Sequence, residues 1–351
     1  MTTSETSFRV GGLAIAIGLG PILITRRRSR SSGDSPVADV PTPQFAFSGQ
    51  PQGNNSIAVS VLRGVGALTD FLGIDFGTQI APLMASDHPP SFTMSGLNVQ
   101  RNDIAGQPVW VIRSQTPSGK YVVALHGGAY VVQPTINHWS AYGALARRTH
   151  ATVIVPVYPL ASTPQGRAQI VIPAMTDLVF AQIAQHGADN ISVYGDSAGG
   201  GMALAVAQLL VSRGDATPSH MVLISPWLDV TLSNPAISTI SDPVLRTASL
   251  RNAGQQSAGD LSPNDPLVSP PYGSLAGLPP TAVYCGNLDL LAADVLRLKE
   301  VTLGNGASDF TFILRNGAIH DWAMGGALST PEAASVQRDI YRQLGLTAPR
   351  P

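Results

Sequence analysis

From about residue 97 onward, short apolar runs alternate with longer segments whose apolar positions recur every three or four residues. Val109 to Arg113 and Tyr121 to His126 are rich in β-branched or aromatic residues and bounded by Pro and Gly, which predicts two strands. Thr152 to Val157 is continuously apolar, the pattern of a strand covered on both faces. Asn190 to Tyr194, Met221 to Ser225, Thr281 to Cys285 and Phe310 to Leu314 also read as strands. Between them, His138 to Thr149, Pro164 to His186, Gly200 to Ser212 and Ala292 to Leu303 read as helices, and Pro331 to Leu344 as a closing one. In the second, Ile172, Met175, Val179 and Ile183 fall on one helical stripe. This alternation predicts an α/β fold with a mostly parallel central sheet and helices on both faces. Such sheets bind ligands at the carboxyl ends of their strands, so a site is expected just after the strands.

The alternation lapses between Asp229 and Pro270, a stretch rich in Pro, Ser, Asn and Ala. With residues 57–96 it reads as a helical cap, the insertion falling at about 230–265 of a catalytic domain at 97–348. Ser60 to Leu72 is a candidate amphipathic helix of that cap. Residues 1–56 read as a tail and flexible linker. Val10 to Ile24 is an apolar run interrupted by Gly and Pro and followed by Arg26, Arg27, Arg28 and Arg30. A spanning helix needs ~20 apolar residues, so this run is a short candidate for a membrane anchor or export element, against an unstructured tail. Localisation stays open between cytoplasm and cell envelope.

Composition narrows the picture. Only 12% of residues are charged, with 19 Arg and 19 Asp against 2 Lys and 3 Glu. The net charge of −1 averages a basic tail with an acidic body, because residues 34–351 alone carry −5. There is no basic excess for nucleic acid. Cys285 is the single cysteine, which excludes an internal disulfide framework and a multi-cysteine zinc site. No metal or cofactor is called for.

Gly195-Asp196-Ser197-Ala198-Gly199 fits G-x-S-x-G between a strand and a helix, the setting that lifts a serine hydroxyl clear of a sheet. Ser197 is therefore the candidate nucleophile, and it needs a base. His220 and His320 lie downstream of it. His220 precedes its strand at the amino end, whereas His320 follows a strand at the carboxyl end, which favours His320. The acid that orients the imidazole is placed at Asp289, after the strand Thr281 to Cys285. Asp294 falls in the next helix, and Asp309 sits at the wrong end of a strand. His126-Gly127-Gly128-Ala129 follows another strand, where small residues let amides point at a developing negative charge. The amide of Ala198 completes that group. His126 precedes the serine and reads as a loop-fixing residue, and Cys285 as a buried thiol.

His126-Gly127-Gly128, Gly195 to Gly200, Ser225-Pro226-Trp227-Leu228-Asp229, Asp265-Pro266-Leu267, Gly277-Leu278-Pro279-Pro280 and His320-Asp321-Trp322 together resemble the hormone-sensitive-lipase-like (family IV, α/β-hydrolase fold-3) carboxylesterases. Within that group the chain is most similar to the catalytic domain of the LipY-type triacylglycerol lipases of mycobacteria. The resemblance implies an α/β-hydrolase fold with Ser197 as nucleophile, Asp289 as acid and His320 as base. It places an oxyanion hole at the amides of Gly127 or Gly128, Ala129 and Ala198. Ala129 stands where a third glycine is common, Leu290 where Pro is common and Gly201 where Asn is common. The implied reaction is hydrolysis of carboxylic esters of apolar acyl chains through an acyl-enzyme, with acylglycerols as the favoured substrates. Short-chain esters, or amide cleavage or acyl transfer on the same triad, are the alternatives, and a non-catalytic binding member of the fold ranks last. The implied partners are a lipid or small ester and a membrane or lipid-droplet surface.

Overall fold

The computed structural model describes residues 47–49, 59, 60, 63, 64, 81–304, 309–326 and 330–347. The apolar run at 10–24, the linker and most of Ser60 to Leu72 fall outside these residues. Among the described residues, no helix is long and apolar enough to cross a membrane.

Eight strands form one sheet: β1 (Asn98–Ile104), β2 (Gln107–Arg113), β3 (Tyr121–Leu125), β4 (Thr152–Pro156), β5 (Ile191–Asp196), β6 (His220–Ile224), β7 (Thr281–Gly286) and β8 (Phe310–Arg315). Their order is β1-β2-β4-β3-β5-β6-β7-β8. β1 and β2 pair antiparallel at one edge, and every pair from β4 to β8 is parallel. Among the described residues, six α-helices accompany them: α1 (Ile136–Thr149), α2 (Ala168–His186), α3 (Ser197–Arg213), α4 (Thr247–Ala258), α5 (Ala292–Gly304) and α6 (Pro331–Gln343).

The apolar patterning explains the layering. β4, β5 and β7 are buried along their whole length because helices cover both faces. On one face Trp139, Tyr142 and Leu145 of α1 pack with Ile340 and Tyr341 of α6. On the other, residues of α2, α3 and α5 form the larger apolar cluster, which also takes in Leu250 and Ala253 of α4. The expected mostly parallel sheet with helices on both faces is what the chain forms.

Two local differences have clear causes. β1 does not register as a strand in the sequence because it is polar and mostly exposed. It is held by a two-residue turn, Ala105-Gly106, with φ of 52° and 75°, the left-handed pair that suits a tight hairpin. The helix expected from Pro164 starts at Ala168 instead. Pro164–Gly166 makes a separate 3₁₀ turn, and the extended Arg167 precedes α2.

At the opposite edge Ser48 bridges to Arg315 of β8, its N–H donating to the Leu314 carbonyl at 2.9 Å. The stretch 230–265 carries a 3₁₀ turn at Pro235–Thr239 and the helix α4.

Candidate active site

The turn between β5 and α3 is set by two glycines. A Cβ on Gly195 would lie 2.3 Å from the Gly199 carbonyl oxygen, and one on Gly199 would lie 2.0 Å from that of Leu125. Both contacts are with backbone, which cannot give way. Gly199→Ala is therefore expected to destabilise the fold by about 3 kcal/mol, as overpacking of a tight core does. A urea-unfolding midpoint equal to wild type would contradict this.

The closed turn holds Ser197 at φ 51°, a left-handed conformation that costs a non-glycine residue about 1 kcal/mol or more. Its carbonyl accepts the Trp227 N–H at 2.8 Å, which ties the turn to the loop after β6. The hydroxyl therefore sits at the amino terminus of α3, where partial positive charge favours an anion.

Asp289 lies three residues beyond β7 and is fully buried. Its Oδ2 stands 2.9 Å from Nδ1 of His320, which follows β8 by five residues. Oδ1 accepts the Leu291 N–H at 2.9 Å, and the Cys285 thiol approaches Oδ2 at 3.8 Å. Asp242, from the stretch between β6 and β7, accepts the Leu290 N–H at 2.8 Å and so fixes the loop that carries Asp289. The structure thus brings Asp289 and His320 into direct contact. Among the described residues, Ser197 Oγ makes no hydrogen bond to the imidazole, and Nε2 of His320 faces Asp321 Oδ2 at 3.2 Å. Burial opposes charge on His320, but Asp321 and Asp289 outweigh it and push its pKa up to about 10.

The glycine loop after β3 departs from expectation at one position. The N–H of Gly127 donates to Asp196 Oδ2 at 3.0 Å, so it is engaged and cannot serve an oxyanion. Gly128, Ala129 and Ala198 keep amides with no intramolecular acceptor among the described residues. Ala129 and Tyr130 are both left-handed, at φ 52° and 63°. The Gly128 carbonyl accepts the N–H groups of Val131 and Val132, which closes the loop on itself.

His126 is buried, stacked on Tyr158 with ring centroids 4.1 Å apart, and bonded through Nδ1 to the Gly127 carbonyl at 2.7 Å. Burial, reinforced by His138, drives its pKa down to about 3, so it stays a neutral prop for the loop. Cys285 is buried, and burial raises its thiol well above the usual value. His220 and Asp309 lie at amino ends of strands, and Asp294 in α5, away from this cluster.

Two participants were not singled out in the sequence. Asp196 Oδ2 also accepts from His138 Nε2 at 3.0 Å, and His138 Nδ1 in turn accepts the Thr135 N–H. The carboxylate thus clamps the glycine loop after β3 to the start of α1. Its adjacency to Ser197 in the motif was the signal available for it. Nothing local marked His138. Among the described residues, no three His, Cys, Asp or Glu side chains converge as a metal site requires.

A family model described as alpha/beta hydrolase fold matches residues 122–324. The chain belongs to the alpha/beta hydrolase fold family. A triacylglycerol lipase of Mycobacterium tuberculosis is 39% identical over a 361-residue alignment covering 95% of this chain and 76% of that protein. An esterase of Acinetobacter venetianus is 34% identical over 194 residues, 54% of this chain and 63% of that protein. A crystal structure of an esterase from the bacterial hormone-sensitive lipase family superposes with a TM-score of 0.71 at 22% identity, covering 84% of this chain and 98% of that one. That last likeness concerns the fold alone. The resemblance to α/β-hydrolase fold-3 carboxylesterases and lipases is borne out by the family model and the Mycobacterium tuberculosis relative, and the reading as a carboxylic ester hydrolase accords with the two sequence relatives. Within this alpha/beta hydrolase the residues described stand at the carboxyl ends of β3, β5, β7 and β8, where the fold places its sites.

Proposed function

We propose that this chain is a serine lipase that hydrolyses acylglycerols through an acyl-enzyme. The observation that carries the reading is the 39% identity to a triacylglycerol lipase across nearly the whole chain. The contact of Asp289 with His320, and the left-handed Ser197 at the β5–α3 turn, support it. Ser197 Oγ attacks the ester carbonyl while His320 Nε2 takes its proton. Asp289 holds the opposite ring nitrogen and balances the imidazolium. The amides of Gly128, Ala129 and Ala198 receive the oxyanion, each such donor contributing about 3 kcal/mol to the transition state. The imidazolium then protonates the departing alcohol. Water, activated by the same base, releases the fatty acid and restores Ser197.

Contact with a lipid surface is supported by Leu83, 83% exposed, and Phe92, 68% exposed. The Leu83 segment is pinned beside the oxyanion loop, since Ser86 N–H donates to the Pro134 carbonyl and Trp139 Nε1 to that of Ser86. Exposed apolar side chains there would meet the interface from which an acylglycerol enters.

A rate series on p-nitrophenyl esters from two to eighteen carbons, with emulsified triacylglycerol alongside, tests the assignment. Retained rates on long acyl chains and fatty-acid release from the emulsion are expected. A sharp fall beyond six carbons with no release from the emulsion would replace it with the short-chain carboxylesterase reading.

A further inference from the structure

His320 has a carboxylate on each ring nitrogen. Asp289 Oδ2 stands 2.9 Å from Nδ1, and Asp321 Oδ2 stands 3.2 Å from Nε2. The second contact occupies the nitrogen that must face Ser197 if that serine is to lose a proton. It is also built into the backbone. Asp321 is left-handed at φ 55°, its N–H donates to Ser225 Oγ at 3.0 Å, and its carbonyl accepts the Met324 N–H at 3.0 Å. Its other oxygen, Oδ1, is buried without a partner among the described residues. The carboxyl group therefore depends on the imidazole for its main polar contact.

We propose that Asp321 is a positioning residue that competes with Ser197 for Nε2 of His320 and sets the pH at which the base becomes available. This rests on the reading of Ser197 and His320 as nucleophile and base.

The surroundings explain how the competition works. Asp289 and Cys285 approach from the end of β7, and Asp242 from the stretch between β6 and β7. Asp196 and His138 approach from β5 and α1, with the buried hydroxyls of Tyr142 and Tyr194 nearby. Asp321, Asp289 and Asp242 thus surround the one imidazole. Burial raises the pKa of Asp321 to about 8, helped by Asp196 and Asp289 and opposed by His320. Through the neutral range a proton is retained between Oδ2 and Nε2. Whichever atom holds it, the Nε2 lone pair is not free to accept the Ser197 hydroxyl proton. As the pH rises the pair gives this shared proton to solvent, which leaves a neutral imidazole with its Nδ1–H on Asp289 and its Nε2 lone pair available to Ser197.

The test compares the full-length wild type with Asp321→Asn and Asp321→Gly, both of which tolerate left-handed backbone. Two readouts are followed from about pH 5 to pH 9: kcat and KM on p-nitrophenyl butyrate, and the rate at which a fluorophosphonate labels Ser197. Losing a facing carboxylate should lower the acid-limb midpoint by about 1 pH unit or more. Below the wild-type midpoint that corresponds to a rise of roughly tenfold in kcat and in labelling rate, with KM little changed. Unchanged midpoints in both variants, whether their rates rise or fall, would overturn the proposal and leave Asp321 a structural residue. Loss of fold in both, read by circular dichroism, would also overturn it, because a competitor for Nε2 is dispensable for folding. Ester hydrolysis that survives Ser197→Ala would instead mark failure of the underlying assignment.

Discussion

Ser197→Ala is expected to lower kcat by about 10⁶-fold, with KM and the unfolding midpoint close to wild type. The side chain lost is one oxygen at a turn whose shape is held by Gly195, Gly199 and the Trp227 amide, none of which involves the hydroxyl. Alanine at φ 51° bears the same strain as serine. The free amides of Gly128, Ala129 and Ala198 remain, so a residual rate of about 10³-fold over water should persist from oxyanion binding alone. Initial rates with enzyme in excess, together with fluorophosphonate labelling, measure both quantities. A variant within tenfold of wild type would remove Ser197 from the mechanism.

Asp289→Asn should reduce kcat by about 10⁴-fold with little change in substrate affinity. Asp289 is fully buried, and its two oxygens face the His320 ring, the Leu291 amide and the Cys285 thiol. With Oδ1 kept on the Leu291 N–H, the asparagine turns its NH₂ toward Nδ1. The imidazole then moves its proton to Nε2, where Asp321 is already placed to accept it. The neighbouring carboxylate thus stabilises the wrong tautomer, and Ser197 has no base. Pairing this substitution with Asp321→Asn in a double-mutant cycle measures that coupling. Full activity in Asp289→Asn would point to another acid.

Much of this arrangement was legible in the chain because it is local. Continuous apolar runs mark the strands buried on both faces, and the strand–glycine–helix pattern around Ser197 marks the turn. The placement of Asp289 and His320 followed from counting residues past strand ends. Contacts made only in three dimensions were not legible. That Gly127 spends its N–H on Asp196 depends on how β3 and β5 sit side by side, and nothing in the glycine loop itself announces it. His138 and Asp242 lie about 60 and 50 residues from the groups they hold, and each looks like an ordinary polar side chain in sequence. Cys285 reads in the sequence only as a buried thiol, yet its Sγ stands 3.8 Å from Oδ2 of Asp289. β1 was missed because an exposed edge strand has no apolar face to declare it.

That edge has a consequence for how copies of the protein meet one another. A parallel sheet ends in unpaired N–H and C=O groups that can recruit a strand from a neighbour. Here one margin is the polar β1, with Arg101 and Asp103 among its side chains. At the other margin, Ser48 donates to the Leu314 carbonyl of β8 and accepts the Asn316 N–H, while the Asn316 side-chain amide holds the Phe47 carbonyl. With so few charged residues in the chain, mutual repulsion offers little protection against association. The margins themselves, one polar and one covered by Ser48, are what discourage edge-to-edge pairing between copies.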